Sequence, residues 1–509
     1  MRITVRVDAS PLMGGGHAMR CLALADALAL QGASIRFVSA TMPNAIAKRI
    51  VDAGHQLVGI AVAGEPPSSA ADWHEHVFDN ETQSADFDAT QRAGLGDWIV
   101  VDHYLLDRRW HSDARNSGAS LLVIDDLANR SYDCDLLLDA TFGRDRLDYH
   151  GLVPADSNLL IGSLYALLRS EFAGQREAAL IRRKSFEKVR RVLVSMGTTD
   201  IGGVTAKVVD EVLKAGPELA LDVVIGASAE SLDAVAKLAA SDTRITLHVD
   251  TREIARLMRD SDLAVGAAGT TSWERCCLGL PAITLILAEN QRPGAKALSE
   301  AGAVIALDHV DEIAPALRAV IKEPERISRM SAAAFAIVDG RGTQRVVSAI
   351  MGKGIAKAGE IQLRSATAAD AALLWLWRND PFTRAGSRDT GAIPWRTHEN
   401  WFTNALTDHD RKTLIAEEAA EPIGTVAFRK FHDGTEVSIT VAPNARSRGV
   451  GQRILAAACE QVSDQLVAAV RKGNVPSQRL FESCGFEVSE SREAGFARYV
   501  RTDNLRKRA

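Results

Sequence analysis

The sequence has few of the features that mark secreted, membrane-bound or nucleic-acid-binding proteins. Its six cysteines are scattered without a CxxC pair, so free thiols in a reducing compartment are expected rather than a disulfide framework. No uninterrupted apolar run is long enough to cross a bilayer, and the first residues alternate charged and apolar side chains instead of forming a secretory core. The net charge of −5 gives no support to a nucleic-acid or membrane partner. These absences predict a cytoplasmic protein.

The length and composition are those of a multidomain globular protein. The 509 residues are too many for one hydrophobic core, so two or three domains are expected. The hydrophobic fraction of 46% and the charged fraction of 25% are ordinary. The patterns predict no particular oligomeric state.

The first two thirds of the chain alternate between strand-like and helix-like segments. Several strand-like segments are continuous apolar runs, as buried parallel strands are. The predicted strands are Ile3–Val7, Ser34–Ser39, Trp98–Val101, Leu121–Asp125, Arg191–Ser195, Leu221–Ile225, Leu263–Gly266 and Ala282–Ile286, and the predicted helices include Met19–Leu30, Ile201–Ala215 and Thr271–Leu278. This order predicts two doubly wound, Rossmann-like α/β lobes, residues 1–155 and 156–350, that face each other.

The last third of the chain differs in composition and pattern from the first two thirds. Residues 351–360 are rich in glycine, lysine and alanine and read as a linker. Residues 361–509 then form a third unit of ordinary domain size, which holds half of the eight tryptophans.

A glycine-rich loop follows the first strand and leads into a helix at His17. Gly14, Gly15 and Gly16 allow a ligand to approach the backbone closely, and the start of a helix favours a phosphate. The positive end of the helix dipole disfavours an imidazolium, so His17 is expected to be neutral and suited to act as a general base. A capping or packing role for His17 is the alternative.

A second small-residue loop, from Gly266 to Glu274, follows a later strand. Thr270, Thr271 and Ser272 can cap the next helix, and backbone N–H groups there can bind a diphosphate. Glu274, one turn further on, can accept both hydroxyls of a ribose. A capping motif that binds no ligand is the alternative.

The first 345 residues resemble the UDP-2,4-diacetamido-2,4,6-trideoxy-β-L-altropyranose hydrolases of pseudaminic acid synthesis, which have the two-lobed GT-B fold. The resemblance is carried by Gly14–His17 with Arg20, which it implies binds substrate, and by three later segments. These are Asp102-His103-Tyr104, Asp125-Asp126 and Tyr165-Ala166-Leu167-Leu168-Arg169. One departure follows Ser195, where a Gly-Gly pair is replaced by Met196-Gly197. The loop, with Ser195 and Gly197, is expected to persist with altered phosphate or sugar contacts.

The resemblance implies hydrolysis of a UDP-amino sugar by a water molecule that His17 deprotonates. It also implies that Asn290 holds the sugar or the water, that Gln291 contacts the phosphates, and that Tyr104 lies near the anomeric centre. For Asn290 and Gln291, ordinary surface-loop residues are the alternative. No metal is expected, because no convincing set of ligands is present.

A different motif lies in the third unit. A predicted strand at 435–441 ends at Val441, and Arg446-Ser447-Arg448-Gly449-Val450-Gly451 then opens a helix. Successive N–H groups from Arg448 to Gly451 can hold a pyrophosphate. The motif resembles that of the GCN5-related N-acetyltransferases (GNAT), which implies an α/β domain with acetyl-CoA as co-substrate. The cofactor-binding residues that it implies here are Val441, Arg446, Arg448, Gly449, Val450 and Gly451.

Further residues agree with this resemblance. The segment from Asn474 to Phe486 is similar to the C-terminal signature of the superfamily, with Asn474 and Ser477 along the cofactor. Glu436 is the candidate base for the substrate ammonium. Phe481 stands where many members have the tyrosine that protonates the leaving thiolate, which leaves the acid to water or Tyr499.

Three functions are therefore compared. The leading hypothesis is a bifunctional enzyme of pseudaminic acid synthesis, which acetylates the 4-amino UDP-sugar precursor and removes UDP from the diacetamido sugar. The second is a GT-B glycosyltransferase with a carbohydrate acceptor, joined to an acetyltransferase or coenzyme-binding domain. The third is a regulatory protein that binds UDP-sugar or coenzyme A without turnover.

Overall fold

The computed structural model describes residues 1–10, 13–62, 76–200, 202–352, 361–418, 421–431, 434–446, 449–490 and 493–501. The chain divides into two compact units, Met1–Val347 and Ser348–Ala509.

The first unit begins with a parallel sheet of seven strands in the order β3-β2-β1-β4-β5-β6-β7. Its strands are β1 (Arg2–Val7), β2 (Ser34–Ser39), β3 (Gln56–Gly59), β4 (Trp98–Asp102), β5 (Ser120–Ile124), β6 (Leu136–Asp139) and β7 (Asn158–Ile161). Its helices are α1 (Gly16–Ala29), α2 (Asn44–Asp52), α3 (Asn80–Ala93) and α4 (Arg108–Asn116). The central strands are buried because their apolar side chains are covered on both faces, as in other parallel sheets.

A second parallel sheet of six strands follows, in the order β10-β9-β8-β11-β12-β13. Its strands are β8 (Arg191–Ser195), β9 (Ala220–Ile225), β10 (Ile245–Val249), β11 (Leu263–Ala267), β12 (Ala282–Leu285) and β13 (Val304–Leu307). The helices from here to the end of the region are α5 (Ser170–Lys184), α6 (Thr205–Ala215), α7 (Leu232–Ser241), α8 (Ile254–Asp260), α9 (Thr271–Cys277), α10 (Arg292–Glu300), α11 (Ile313–Ile321), α12 (Pro324–Ile337) and α13 (Gly342–Ile350).

Both parallel sheets reverse their winding between the first strand and the fourth. The reversal lies between β1 and β4 in the first sheet and between β8 and β11 in the second. Doubly wound sheets bind ligands beyond the carboxyl ends of the strands at this switch point. The loops that follow these four strands therefore carry the candidate site.

The predicted elements agree with the structure, with one clear correction. All eight predicted strands overlap observed strands, and the prediction of two doubly wound lobes is confirmed. Helix α6 begins at Thr205 and not at 201, because Gly202 and Gly203 have φ angles of 75° and 58°, which a right-handed helix excludes. Residue 201 lies outside the described residues. The predicted division at 155/156 falls before β7, which pairs with β6 in the first sheet.

The second unit is built on a mixed sheet in the order β14-β15-β16-β17-β18-β20-β19. Its strands are β14 (Ile361–Ser365), β15 (Arg411–Glu418), β16 (Glu421–Phe431), β17 (Gly434–Val441), β18 (Leu466–Arg471), β19 (Glu487–Ser489) and β20 (Phe496–Arg501). Its helices are α14 (Ala371–Asn379), α15 (Pro381–Gly386), α16 (Trp395–Thr407), α17 (Val450–Cys459) and α18 (Val475–Ser483). The strands pair antiparallel except β17 and β18, which pair in parallel. The α/β class predicted for this unit is confirmed.

Two glycines of the second lobe give a matched test of its packing. Gly279, between α9 and β12, has φ of 56°, and a Cβ there would lie 2.1 Å from the ring of Phe335. Gly302 has φ of 76° with nothing within 4 Å of such a Cβ. We expect Gly302→Ala to cost about 1 kcal/mol of unfolding free energy from the left-handed conformation. Gly279→Ala should cost about 1–3 kcal/mol more through overpacking. Urea unfolding of both variants measures this, and equal losses would contradict the packing described.

Candidate functional site

The glycine loop of the first lobe lies against the second lobe. Gly14 has φ of 77°, Gly15 is the N-cap of α1, and Gly16 is its first residue. A Cβ on Gly15 would lie 3.2 Å from the Thr198 hydroxyl, and one on Gly16 would lie 3.0 Å from the Thr270 hydroxyl. The absence of side chains at these two positions allows the switch-point loops of the two lobes to meet.

His17 forms a short hydrogen bond with the carboxylate that ends β4. The distance from His17 Nδ1 to Asp102 Oδ1 is 2.6 Å, and both side chains are buried. Arg20 Nη2 also lies 3.1 Å from this nitrogen. Because a carboxylate only accepts, we assign the hydrogen to Nδ1, which leaves Nε2 as the nitrogen that can take a proton. This is the geometry of a histidine base oriented by an aspartate.

Arg20 binds the same aspartate from the next turn of α1. Its Nε donates to Asp102 Oδ2 at 2.6 Å, its Nη2 to Asp102 Oδ1 at 2.7 Å, and its Nη1 to Asp126 Oδ2 at 3.1 Å. Burial opposes ionisation of Asp102, but the charges of Arg20 and His17 hold the pKa of its carboxyl well below the ordinary value. Asp102 is therefore ionised, and the guanidinium that was predicted to contact substrate is engaged by two carboxylates.

Tyr104 completes this cluster. Its hydroxyl donates to Asp126 Oδ1 at 2.7 Å, and its ring meets that of His17 edge-on at 4.7 Å between centroids. Burial and the Asp126 carboxylate raise the pKa of Tyr104 well above its ordinary value. The phenol is therefore neutral and packs beside the base.

A buried charge network supports the strand end from which the glycine loop departs. Asp8 accepts from Arg6 at 2.7 Å and lies 2.9 Å from His103 Nε2. It also accepts from the Ser39 hydroxyl and the Ala40 N–H. These bonds tie the carboxyl ends of β1, β2 and β4 together, which fixes the positions of the loops that carry His17 and Tyr104.

The second lobe contributes the loops after β8 and β11. Ser195 ends β8, and Gly197 follows with φ of 106°. Thr270 is the N-cap residue of α9 and Thr271 its first residue, but the Thr270 side chain makes no capping hydrogen bond. The backbone rather than a hydroxyl cap therefore shapes this loop.

Glu274 of α9 pairs with an arginine from the connection between the lobes. Arg169 Nη2 lies 3.5 Å from Glu274 Oε1, and Arg169 Nη1 lies 3.0 Å from Glu171. Burial raises the pKa of Glu274, an effect that Arg169 opposes. The carboxylate is held at the wall of the cleft, where it can accept hydroxyl groups.

A cavity between the lobes brings several of these residues together. About 530 Å³ of open space is bounded by α1 on one side and by α9 on the other. Its lining includes Gly16, Arg20, Thr270 and Glu274 among the predicted residues, together with Arg169. Asn290 and Gln291 are not among the lining residues. They lie in a short 3-10 helix after β12, where the Asn290 Oδ1 is buried without a hydrogen-bond partner and Gln291 accepts from the Leu287 N–H at 3.0 Å.

The second unit has a gap within its sheet. Strands β17 and β18 have eight and six residues, yet they pair only at Thr435–Leu466 and Glu436–Val467. Beyond Glu436 the two strands separate. The backbone of β17 from Val437 to Val441 is therefore available on that side to an extended ligand with amide groups.

Glu436, at the point of separation, is occupied by a salt bridge. Arg388 Nη2 donates to Glu436 Oε1 at 2.8 Å, and Arg388 Nε donates to Glu493 at 3.1 Å. The Arg388 side chain is 57% exposed, so an incoming cation can replace it at little cost.

The predicted cofactor residues fall into two groups. Gly449 has φ of 68° and is the N-cap of α17, which begins at Val450 and Gly451 and is preceded by the strand that ends at Val441. Asn474 caps α18, and its Oδ1 accepts from the Ser477 N–H at 3.2 Å. Arg446 instead lies 2.7 Å from both the Asp380 carboxylate and the Thr383 hydroxyl, against the ring of Phe382. Arg448 lies outside the described residues.

The possible acid of the second unit is placed by two contacts. The Tyr499 hydroxyl donates to Glu482 at 3.2 Å, and its ring stacks on Phe481 at 6.2 Å. Burial and Glu482 raise the pKa of Tyr499, so the phenol holds its proton at neutral pH.

The described residues contain neither a metal-binding cluster nor a membrane-spanning helix. Within those residues, no group of three or more His, Cys, Asp or Glu side chains is arranged to hold a metal ion. No helix in the same part of the chain has the length and apolarity needed to cross a membrane.

Comparison with known proteins separates the two units. Residues 371–486 match the acetyltransferase (GNAT) family. The second unit carries a GNAT domain.

The N-terminal part is similar to two named relatives. The UDP-2,4-diacetamido-2,4,6-trideoxy-β-L-altropyranose hydrolase of Campylobacter jejuni is 27% identical over 205 residues, 40% of this chain and 71% of the relative. The spore coat polysaccharide biosynthesis protein SpsG of Bacillus subtilis is 24% identical over 209 residues, 38% of this chain and 59% of the relative.

The combination of the two parts recurs in a relative of similar length. An uncharacterized protein of Methanocaldococcus jannaschii is 22% identical over 508 residues, which cover 96% of this chain and 97% of the relative. Among solved structures, Acinetobacter baumannii MurG aligns with 69% of this chain and 99% of its own, at 16% identity and a TM-score of 0.48. The fold assignment of the first unit rests on its strand orders and not on this similarity. The resemblances stated for the two parts are confirmed by the family match and the relatives of the N-terminal part.

Sequence reasoning missed the partners of the predicted residues. Asp102, Asp126 and Arg169 lie in the motifs that carry the resemblance, but the sequence predicts no role for them. It gives no indication of Arg388. A signal existed for Asp102 and Asp126, since each follows a buried apolar strand at the carboxyl edge of the sheet. For Arg388 of the GNAT domain no comparable signal exists, because it lies in the segment after α15 and reaches Glu436 only through the fold.

Removing Arg20 should destabilise the first unit in a pH-dependent way. Arg20→Met leaves the buried Asp102 carboxylate without its cation, so we expect a loss of about 3–5 kcal/mol in unfolding free energy at pH 7. Because the pKa of Asp102 is lower in the folded state, its ionised form stabilises the fold at pH values above the unfolded pKa of about 3.9. This stabilisation is lost as the pH falls towards the folded pKa. The loss should therefore shrink below about pH 4. Urea unfolding at both pH values measures this, with the exposed Arg92→Met as control. An equal loss at both pH values would show that Arg20 acts through packing alone.

Proposed function

We propose that the first unit hydrolyses the bond between an amino sugar and UDP, and that the GNAT domain acetylates a UDP-linked amino sugar. The proposed substrates are UDP-2,4-diacetamido-2,4,6-trideoxy-β-L-altropyranose and its 4-amino precursor, which would place both reactions in pseudaminic acid synthesis. The observation that carries the hydrolase proposal is the 2.6 Å bond between His17 and Asp102 beside a cleft that Thr270 and Glu274 line.

The geometry of the first unit suits attack by water. His17 Nε2 takes a proton from the water as its oxygen bonds to the anomeric carbon and the bond from that carbon to the UDP oxygen breaks. Asp102 keeps the ring in the required tautomer and stabilises the imidazolium that forms. Backbone N–H groups of the loop after β11 would hold the departing diphosphate, and Glu274 would accept the ribose hydroxyls. The products are the free sugar, UDP and one proton.

The name of the Campylobacter jejuni relative supports hydrolysis, and that of SpsG supports a broader role in polysaccharide synthesis. A glycosyltransferase with a carbohydrate acceptor uses the same donor site, so the dependence of UDP release on an acceptor separates the two functions.

Replacing His17 should abolish hydrolysis without loss of nucleotide binding. We expect His17→Gln to lower kcat by about 10²–10⁴-fold, the usual share of a general base, and Asp102→Asn to act in the same direction by favouring the wrong tautomer. Mass spectrometry of free sugar and UDP, with UDP binding by calorimetry, measures this. His150→Gln, an exposed histidine of the same lobe, is the matched control. Undiminished hydrolysis by His17→Gln, or UDP release only in the presence of a carbohydrate acceptor, would reject the hydrolase proposal.

The GNAT domain offers a place for acetyl-CoA. The fit rests on the separation of β17 from β18 and on Gly449, whose positive φ suits glycine at the start of α17. Gly449, Val450 and Gly451 would hold the pyrophosphate, and the backbone up to Val441 would pair with the pantetheine amides. Acetyl-CoA supplies the thioester from which the acetyl group is transferred. Glu436 accepts a proton from the substrate ammonium, which takes the place of Arg388.

Replacing Glu436 should affect acetyl transfer alone. We expect Glu436→Gln to lower kcat/KM for the amino sugar by about 10²–10³-fold at neutral pH, with the rate recovering as rising pH deprotonates the amine in solution. UDP release from the diacetamido sugar should be unchanged. Glu487→Gln, an exposed carboxylate of β19, is the control. An unchanged pH profile of Glu436→Gln would exclude Glu436 as the base. If the wild-type protein binds acetyl-CoA but transfers no acetyl group, the domain is regulatory.

A further inference from the structure

A buried arginine lies behind the loop that follows β11. Arg275 is 2% exposed, and its Nη2 donates to the Ala267 carbonyl at 2.7 Å and to the Ser272 hydroxyl at 2.9 Å. Its Nη1 lies against Gly266, where a Cβ would come within 2.1 Å of it. The guanidinium therefore fills the space under the loop, and Gly266 is required because a side chain would collide with it.

Within the described part of the chain no carboxylate forms a salt bridge with this cation, and Glu274 attracts it only from a greater distance. The Nε of Arg275 is buried without a hydrogen-bond partner, and the groups that its Nη2 contacts are neutral. Thr284, which pairs with Gly266 in the sheet, also has a buried hydroxyl without a partner. Burial lowers the pKa of Arg275 to about 10, so it remains charged at neutral pH. A buried charge without a close counter-ion is costly, and this one lies beside the switch point, where doubly wound sheets bind their ligands.

Other buried arginines of the first unit have either carboxylate or backbone-carbonyl partners, and the Nε of Arg183, like that of Arg275, has no hydrogen-bond partner among the described residues. Arg6 pairs with Asp8 and Asp86. Arg176 donates to three backbone carbonyls, those of Cys277, Phe335 and Val338. Arg183 donates to the carbonyls of Met258 and Ser261 at the end of α8. Arg275 is the member of this group that lies at the carboxyl edge of the second sheet.

We infer that Arg275 is the buried counter-charge for a nucleoside diphosphate bound on the outer side of the loop from Gly266 to Ser272. This inference rests on the proposed binding of UDP by the first unit. Arg275 acts through the loop without touching the ligand, so it is a positioning residue that also supplies charge. The charge acts from a buried position, where the low dielectric strengthens its attraction for phosphate.

A purely structural role predicts a different pattern of variants. If Arg275 serves only to hold the Ala267 carbonyl, a neutral donor of similar length should replace it. If the charge of Arg275 attracts the diphosphate, only another cationic side chain should replace it. The charge should also matter for UDP and not for uridine, which lacks phosphate.

Calorimetric titration of the full-length protein with UDP and with uridine tests the inference. We expect Arg275→Met and Arg275→Gln to weaken UDP binding by about 10–100-fold, the range for a hydrogen bond or contact that involves charge. Uridine binding should change by less than about twofold, and Arg275→Lys should keep most of the affinity for UDP. Arg183→Met is the matched control, since it removes another buried arginine of the same lobe and should leave the ratio of the two affinities unchanged.

Three outcomes would overturn the inference. Wild-type affinity of Arg275→Gln for UDP would show that hydrogen bonding suffices, and equal losses for UDP and uridine would show general damage to the lobe. If the wild-type protein binds uridine and UDP equally or binds neither, the proposed nucleotide site fails together with this inference. Should Arg275→Met not fold, the comparison of the Lys and Gln variants decides alone.

Discussion

The short hydrogen bond between His17 and Asp102 is the interaction on which the first unit depends. It joins residues 85 positions apart, and it exists because the strand order places β4 directly beside β1. Arg20, one turn along α1, makes the buried carboxylate tolerable, and that carboxylate in turn fixes the imidazole. Removing any one of the three leaves a buried charge or an unoriented ring. The surrounding network at Asp8 then holds the strand ends in the register that this triad requires.

Much of this architecture could be predicted from periodicity and loop chemistry. Eight strands of the two parallel sheets, both glycine-rich loops and the change of composition after α13 could be predicted from the sequence. Strands β3, β6, β7, β10 and β13 were missed, and all of them except β6 are edge strands that are only partly buried. The continuous apolar run that marks a central parallel strand is less distinct at a partly exposed edge. The alternation of strands with helices predicts two doubly wound lobes but not which strands pair at the switch point, so the contact of Asp102 with His17 could not be predicted.

Arginine partners were the least predictable part of the site. Arg20 was predicted to bind substrate and Arg446 to bind the cofactor, and the structure pairs both with aspartates. Glu436 likewise lies in the predicted strand, but its ion pair with Arg388 comes from a segment 48 residues earlier. Long flexible cations reach across elements, so their partners depend on tertiary geometry that local spacing does not encode. Glycines behaved in the opposite way, since their positive φ angles and close approaches were already implied by the loops that contain them.

The contact of Gly16 with Thr270 has a consequence for how the first unit can evolve. The group that would activate water lies on one lobe, and the loop that would hold the nucleotide lies on the other. How closely they approach depends on the absence of a Cβ at Gly16, beside the Thr270 hydroxyl. A larger residue at position 16 would require the Thr270 side chain to move or the two loops to separate. Glycine at position 16 therefore matters for the alignment of the two lobes and not for the fold of either one.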